Sequence, residues 1–405
     1  MDMKPVELKK DIYWVGIVDW NCRDFHGYSL SPMGTTYNAF LVKDEKIALV
    51  DTAKADHAGE FFCALSHLVK PEDVDYLIVN HLEPDHSGAL VEAVQRCKPE
   101  KIFCSPMGAR SLAGLYQTKD WPIEVIKSGG SISLGKRSVT FLETRMLHWP
   151  DSMFSYIPED KVVFSSDAFG QNWATSERFA DQVGRETLDR VLSEYFANIV
   201  QPYSPVVLKT LDKIAELKLE LDMILPDHGL LWRGEDCAWV LKRYREMAEA
   251  KPKPRAVLVY DTMWQSTEQM IHAVSDGLKD EGIETRIMHV KANHHSAVMT
   301  ELLDSGALVV GSPTHNNGIL PYMAGLFQYM KGLKPLNKVG GAVGSFGWSG
   351  ECVPALNEWL EKIGIEVVGS GVKQQWRPTH DTLKACVAYG REIGAALKAK
   401  IAALG

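Results

Sequence analysis

The residues best suited to chemistry fall in one six-residue run, His81-Leu82-Glu83-Pro84-Asp85-His86, which closes the apolar stretch DYLIVN and holds four potential metal ligands. In an extended segment residues i and i+2 face the same side, so His81 and Glu83 can share one ion while Asp85 and His86 turn toward another. Pro84 stiffens the loop that carries them. His148 in MLHWPDSM, Asp167 in VVFSSDAFG and His228 in ILPDHG each sit just beyond an apolar run, where strand-end loops form. The intervals are 61 residues from His86 to His148, 18 to Asp167 and 60 to His228. Trp149, Pro150 and Pro226 read as loop packing. Four imidazoles and three carboxylates without a thiolate make a hard donor set that favours iron or manganese. Three carboxylates against two divalent ions leave one positive charge, which a bridging hydroxide cancels, so the site suits a dry pocket.

A second constellation follows the strand VLVY and Asp261. Thr262, Met263, Trp264, Gln265, Ser266 and Thr267 lead into a helical run beginning near Glu268. Backbone N–H groups at a helix start, with the Thr262, Ser266 and Thr267 hydroxyls, form an anion cradle that suits a phosphate without any Lys or Arg. Two more loops follow strands at matching places: Ser312, Pro313, Thr314, His315, Asn316, Asn317, Gly318, and Ser345, Phe346, Gly347, Trp348, Ser349, Gly350. Ligands of open α/β sheets bind beyond the strands' carboxyl ends, so all three loops can converge there. Gly318, Gly347 and Gly350 let the chain approach closely.

Short strands must carry both constellations. In the first half they are expected at Ile12–Val15, Tyr37–Val42, Ile47–Val50, Tyr76–Val79 and Val162–Phe164, mixed with helices near 57–69, 87–96 and 205–219, which suits a layered α/β fold. The second half alternates strands (Ala256–Tyr260, Thr285–Val290, Ala307–Gly311, Lys338–Val343, Glu366–Val368) with helices, the pattern of a parallel, doubly wound sheet. Prolines among lysines in AEAKPKPRAVLVY mark a linker, giving domains 1–250 and 255–405 joined by 251–254. The 405 residues are 45% hydrophobic and 24% charged, ordinary for globular domains. Residues 255–405 hold 14 Lys plus Arg and 14 Asp plus Glu, so the net charge of −8 lies in the first half. No basic stripe for nucleic acid appears. No apolar run spans a bilayer, and the opening MDMKPVELKKD lacks a signal-peptide core, so no membrane association and a cytoplasmic location are expected. The seven scattered cysteines form no CxxC pair and read as reduced thiols.

The ligand residues and their intervals resemble the metallo-β-lactamase superfamily, whose zinc hydrolases carry HxHxDH where this chain has HxExDH. With Glu83 in place of the second His, the pattern is similar to that of the flavodiiron proteins, or A-type flavoproteins, and the resemblance covers nearly the whole chain. It implies an N-terminal metallo-β-lactamase-like αββα sandwich and a C-terminal flavodoxin-like sheet that binds FMN through the three loops. One iron would be held by His81, Glu83 and His148, the other by Asp85, His86 and His228, with Asp167 bridging. Trp348 would stack on the flavin, while Thr314, His315, Asn316 and Asn317 would line its polar edge. His26, in the run Trp20–Tyr28, and Tyr195 match family residues facing the gas, where they would donate hydrogen bonds or protons. The implied activity is reduction of O2 to water, of NO to N2O, or both. Because the chain ends at Gly405 without a CxxC pair, the electron donor is expected to be separate: rubredoxin, or a reduced deazaflavin. The family also implies a head-to-tail homodimer or a dimer of dimers, placing one subunit's FMN near the other's iron. Two further readings are a zinc hydrolase with a flavodoxin-like module and an electron shuttle whose first domain is a scaffold.

Overall fold

In the computed structural model, which describes residues 4–404, alternation along short apolar strands decides the architecture of the first of two units. That unit comprises the residues up to Gly27, Ser31–Tyr195 and Tyr203–Arg245. Its first sheet runs in the order Val6–Lys9, Ile12–Trp14, Phe40–Val42, Ala48–Val50, Tyr76–Val79, Lys101–Cys104, Ile123–Val125. Phe40, Val42, Ala48, Val50, Ile78 and Phe103 point from it into a core shared with Phe141, Met153, Ile157, Val162, Phe164 and Leu225. The alternate residues Leu41, Leu49, Leu77, Val79 and Ile102 pack instead on Phe61, Phe62, Leu65, Leu90 and Ala93 of the helices Ala58–Ser66 and Leu90–Cys97. A period of two thus buries both faces of one sheet.

The second sheet has the order Ser131–Ser133, Ser138–Glu143, Met153–Ile157, Val162–Phe164, Met223–Leu225, Trp232–Arg233. From its far face Phe154, Val163 and Ile224 line the same small space as Ile214 of the helix Ser204–Glu216. The layers are therefore helix, sheet, sheet, helix. One expected strand, Tyr37–Val42, is split into Thr35–Tyr37 and Phe40–Val42. Asn38 breaks it because its side chain accepts from Trp14 Nε1 (2.8 Å) and donates to the Pro226 carbonyl (2.7 Å), tying this turn to the His228 loop.

The second unit comprises Tyr28–Leu30, Phe196–Pro202 and the chain from Glu246 onward. Asn198 belongs with it through its bond to the Ser296 carbonyl (3.2 Å) and the bond it accepts from Tyr329 (2.8 Å). Its parallel sheet has the order Glu284–His289, Arg255–Tyr260, Ala307–Gly311, Val339–Phe346, Glu366–Val367, the doubly wound arrangement with a switch point beside the first strand. Beyond the last of these, Val372–Gln375 pairs with Val343–Phe346 and continues the sheet edge. The helices Ser266–Asp280 and His380–Leu404 meet through two glycines: a Cβ on Gly277 would lie 2.0 Å from the Val387 carbonyl oxygen, and one on Gly390 2.2 Å from that of Val274. Among the described residues no helix is long and apolar enough to cross a membrane.

This unit also buries an amine. Lys338 is 3% exposed and donates to the Ser305 carbonyl at 2.5 Å. Burial pushes its pKa down to about 7, outweighing the opposite pull of Asp304. In the unfolded chain it titrates near ~10.4, so between those values the unfolded state binds more protons and stability rises with pH. Lys338→Met is expected to gain stability over the parent most below pH ~7, and the gain should shrink as pH climbs toward ~10. Urea midpoints of both proteins measured across that range check the sign.

Candidate metal centre and cofactor cavity

The apolar strand Tyr76–Val79 ends at Asn80 and delivers His81 to the sheet's carboxyl edge. The chain then turns into the short helix Pro84–Ser87, with Pro84 at its first position, which carries Asp85 and His86 round to a different side from Glu83. Loops after Ser138–Glu143, Val162–Phe164 and Met223–Leu225 bring His148, Asp167 and His228 to the same edge. The side chains gather in two sets, His81, Glu83, His148 and Asp167, and Asp85, His86 and His228.

Asp167 joins the sets. Its Oδ2 lies 2.7 Å from His148 Nε2 and 3.3 Å from His81 Nε2, while Oδ1 lies 3.0 Å from His86 Nε2 and 3.5 Å from His228 Nε2. Glu83 Oε2 completes the first set at 3.4 Å from His81 and 3.3 Å from His148. Asp85 completes the second at 3.2 Å from His228 and 3.5 Å from His86. All four imidazoles thus turn Nε2 inward. His86 Nε2 and His228 Nε2 stand 3.0 Å apart, and neither oxygen of Asp85 nor Oδ1 of Asp167 has a hydrogen-bond donor. Converging lone pairs and orphaned buried carboxylate oxygens are what cations would satisfy, one in each set.

The electrostatics point the same way. Burial pushes the Glu83 pKa up, yet hydrogen bonds from His148 and His81 outweigh it and hold the carboxyl far below its usual range. Burial would discharge His86, but Asp85 and Asp167 raise its pKa to about 9. His81 is likewise raised well above an ordinary histidine against its own desolvation, chiefly by Asp167 and Asp151. The pocket has a surplus of negative field, and metal ions take the place of protons in such a site.

A ring of further groups fixes the ligating atoms. Asp151 Oδ2 lies 3.1 Å from His81 Nδ1 and accepts from the Leu82 backbone at 2.8 Å. His228 Nδ1 donates to the Thr36 carbonyl at 2.7 Å, and Thr52 Oγ1 donates to the His86 carbonyl. Asp51 Oδ1 accepts from the backbone of Asn80 (2.8 Å), and Asp227 Oδ2 lies 3.9 Å from His86 Nδ1. Sequence reasoning missed Asp151, Asp51 and Asp227. Their places in the chain gave no signal: Asp151 follows His148 by three positions and Asp227 immediately precedes His228, yet they stand at the rings of His81 and His86. An acid beside a candidate histidine commonly orients its ring.

His26 has its Nε2 3.5 Å from Glu83 Oε1, on a left-handed backbone (φ 55°). Tyr195 is wholly buried, its ring 5.9 Å from that of His228 and its hydroxyl without a partner. Burial first, then Asp167, raise its pKa well above that of a free tyrosine, so the hydroxyl keeps its proton.

The second unit holds a cavity of ≈ 750 Å³ at the carboxyl edge of its sheet, lined by Met263, Trp264, Ser266, Pro313, Thr314, Asn316, Asn317, Ser345, Phe346, Gly347, Trp348, Ser349, Trp376 and Arg377. Three indoles stand around it with little cover, Trp264 (87% exposed), Trp348 (86%) and Trp376 (62%). The remaining loop residues stand outside the lining and shape it. His315 and Gly318 close the 312–318 loop with reciprocal backbone bonds of 3.0 and 2.9 Å. Ser312 Oγ accepts from the Leu320 backbone (3.0 Å), Thr267 and Ser345 share a hydroxyl contact of 3.1 Å, and the Thr262 backbone donates to Asp261 (2.8 Å). Gln265 precedes the helix Ser266–Asp280 in the left-handed region, and Gly350 also has a positive φ (101°), close against the Phe346 ring. Flat apolar walls, a helix start free of cations at one end and hydroxyl and amide groups between them fit a planar ring bearing a phosphate. Trp376 and Arg377, which follow the unanticipated strand Val372–Gln375, were not assigned to the site; that strand reads Val-Lys-Gln-Gln, with no alternation to mark it.

A family model described as ODP family beta lactamase matches residues 35–229, and a flavodoxin model matches residues 258–390. The rubredoxin-oxygen oxidoreductase of Megalodesulfovibrio gigas is 50% identical over 402 residues, 99% of this chain and 100% of that one. The nitric oxide reductase of Moorella thermoacetica is 43% identical over 394 residues, 97% of this chain and 98% of that one. The crystal structure of the flavodiiron protein from Giardia intestinalis superposes with a TM-score of 0.96 at 30% identity, covering 100% of this chain and 99% of that one. For the metal centre, Asp151→Asn is expected to weaken metal retention about 10–100-fold, with little change in the fold. Metal content after dialysis against graded chelator, alongside circular dichroism, measures both.

Proposed function

The chain belongs to the flavodiiron proteins, and we propose that it is an oxidoreductase that reduces O2, NO or both with electrons passed through FMN from a separate donor. The observation that carries this reading is Asp167, one oxygen toward each of two ligand sets, in a chain whose second unit has a cavity fitted to a flavin nucleotide. We assign His81, Glu83 and His148 to one iron, Asp85, His86 and His228 to the other, and Asp167 to the bridge. When bound, two irons and FMN supply up to four electrons, enough for O2 + 4e⁻ + 4H⁺ → 2H2O or for 2NO + 2e⁻ + 2H⁺ → N2O + H2O.

The chain's own groups do the rest. Tyr195 keeps a proton on its buried hydroxyl and can donate a hydrogen bond or that proton toward the substrate. The His26 Nε2, beside Glu83, lies where it can do the same. The rings of Phe25 and Tyr37, edge-on to His228 at 5.2 and 6.1 Å, and of Trp149, edge-on to His81 at 5.3 Å, limit water at the ligands. Two relatives, named for rubredoxin and oxygen and for nitric oxide, support both gases and a rubredoxin-like donor; a reduced deazaflavin is the second donor class. The same reading places a head-to-tail homodimer, or a dimer of dimers, in the cytoplasm, with the linker at 251–254.

Reduced rubredoxin supplied anaerobically, with O2 and NO followed at parallel electrodes, should show consumption of at least one gas, and the faster one is the preferred substrate. No consumption of either, with iron and FMN both present, overturns the reading or the donor; repeating the run with chemically reduced protein separates these. Glu83→His removes one negative charge from the first set and should lose iron or turnover while FMN stays bound. Undiminished iron and turnover would remove Glu83 from the ligands, and a fully active monomer on size-exclusion chromatography would remove the dimer.

A further inference from the structure

Fourteen residues line the cavity of the second unit, and Arg377 is the only one of them that carries a formal charge. The segment that carries it is tied to the loop at 346–347. The Trp376 backbone N–H donates to the Phe346 carbonyl (2.7 Å), and Gln375 Nε2 donates to that of Gly347 (2.8 Å). Gly347 lies so close beneath Trp376 that a Cβ there would stand 3.1 Å from the indole. Trp376 is left-handed (φ 64°), and Arg377 follows it in the bend just before Pro378. The guanidinium is exposed and makes no ion pair among the described residues, so no carboxylate neutralises it. Arg377 thus lines the cavity one residue beyond the segment bonded to the loop that carries Trp348. At the other end, the start of the helix Ser266–Asp280 offers a phosphate neutral N–H and hydroxyl groups without a cation.

We propose that Arg377 acts on the flavin ring and not on the phosphate, favouring the reduced ring as an anion. The inference rests on FMN being the occupant. Two electrons from a low-potential one-electron donor, in two steps, and one proton from solvent convert the oxidised ring to its reduced anion. The proton forms the N5–H bond, and N1 is left negative. A guanidinium beside the ring lowers the energy of that charge and so raises the potential at which the flavin accepts its electrons. Without the cation, N1 takes a second proton from solvent at a higher pH than it does beside the guanidinium.

The test uses the full chain with its FMN, as the parent, Arg377→Gln and Arg377→Lys, each titrated potentiometrically at several pH values around neutrality. The parent should take up one proton per two electrons. In Arg377→Gln the rise from one proton toward two should begin at a higher pH than in the parent, and its midpoint should fall by about 30 mV, a roughly tenfold loss of preference for the reduced anion. Arg377→Lys should keep most of the parent behaviour. Affinities of the flavin-free proteins for FMN and riboflavin form the second arm, and the preference for FMN should survive in Arg377→Gln. An unchanged midpoint and proton count in Arg377→Gln with flavin bound overturns the inference. So does collapse of the FMN-over-riboflavin preference, which assigns Arg377 to the phosphate. A parent that neither contains nor binds FMN overturns the underlying flavin reading instead.

Discussion

The arrangement of the first unit depends on one carboxylate that has no room for water. Asp167 is 2% exposed, yet four imidazole nitrogens lie within 3.5 Å of its two oxygens. Burying an anion costs several kcal/mol unless it is paired, and removing one partner of a buried pair costs about as much again. Asp85 and Glu83 add two more anions to the same pocket, and Asp51, Asp151 and Asp227 lie directly behind. Such a cluster persists only if cations hold it together: protons on the histidines, or metal ions between them. That requirement explains why so much of the surrounding backbone is committed to fixing side chains. The break at Asn38, the turn after Asn80 and the loop around Asp227 are all tied to one another or to a ligand by short bonds.

The second unit solves a different problem. Its cavity is open, its indoles are exposed and only one charge lines it. A neutral planar ring needs surface and orientation more than it needs charge compensation, so flat aromatic walls and backbone groups suffice. The rigidity lies below the loops, in the parallel sheet and in the glycine-mediated meeting of the helices Ser266–Asp280 and His380–Leu404. Two ligand chemistries thus account for two loop styles. In one, buried acids clamp imidazoles; in the other, hydrogen-bonded loops ride on the carboxyl edge of a parallel sheet.

Much of this was legible in the chain itself, and the exceptions have physical causes. The strands Tyr76–Val79, Val162–Phe164 and Ala307–Gly311 have the bounds read from the sequence, because buried apolar runs flanked by polar residues leave little choice. Lys101–Cys104, Met153–Ile157 and Met223–Leu225 went unread: Lys101 stands in the first, Ser155 interrupts the second, and the third follows directly on the charged stretch Lys218–Asp222, so none stands out as a clean apolar run. Tyr37–Val42 looked continuous because the interruption at Asn38 is made by partners far along the chain. Among the site residues, the seven candidate ligands stood out by type and spacing. Asp51 and Asp151 did not, since an acid that orients a histidine is distinguished only by which ring it meets in space. Trp376 and Arg377 escaped for the same reason as their strand, whose partner is set by the sheet and not by local pattern.

The contrast between Glu83 and a histidine at that position carries the argument one step further. A histidine there would leave the first set with neutral ligands and Asp167 as its only anion, so each ion would keep more of its positive charge, the condition that sharpens a Lewis acid toward water. Glu83 instead brings a carboxylate whose pKa its two histidine neighbours hold far below the usual range. Each set then has a carboxylate of its own, Glu83 in one and Asp85 in the other, with Asp167 shared between them. Matched anions at both positions lower the cost of adding positive charge at either ion, which is what repeated one-electron oxidation and reduction demands. On this reasoning one side chain, by supplying a negative charge in place of a neutral ring, turns a hydrolytic scaffold toward redox work without altering the sheets that support it.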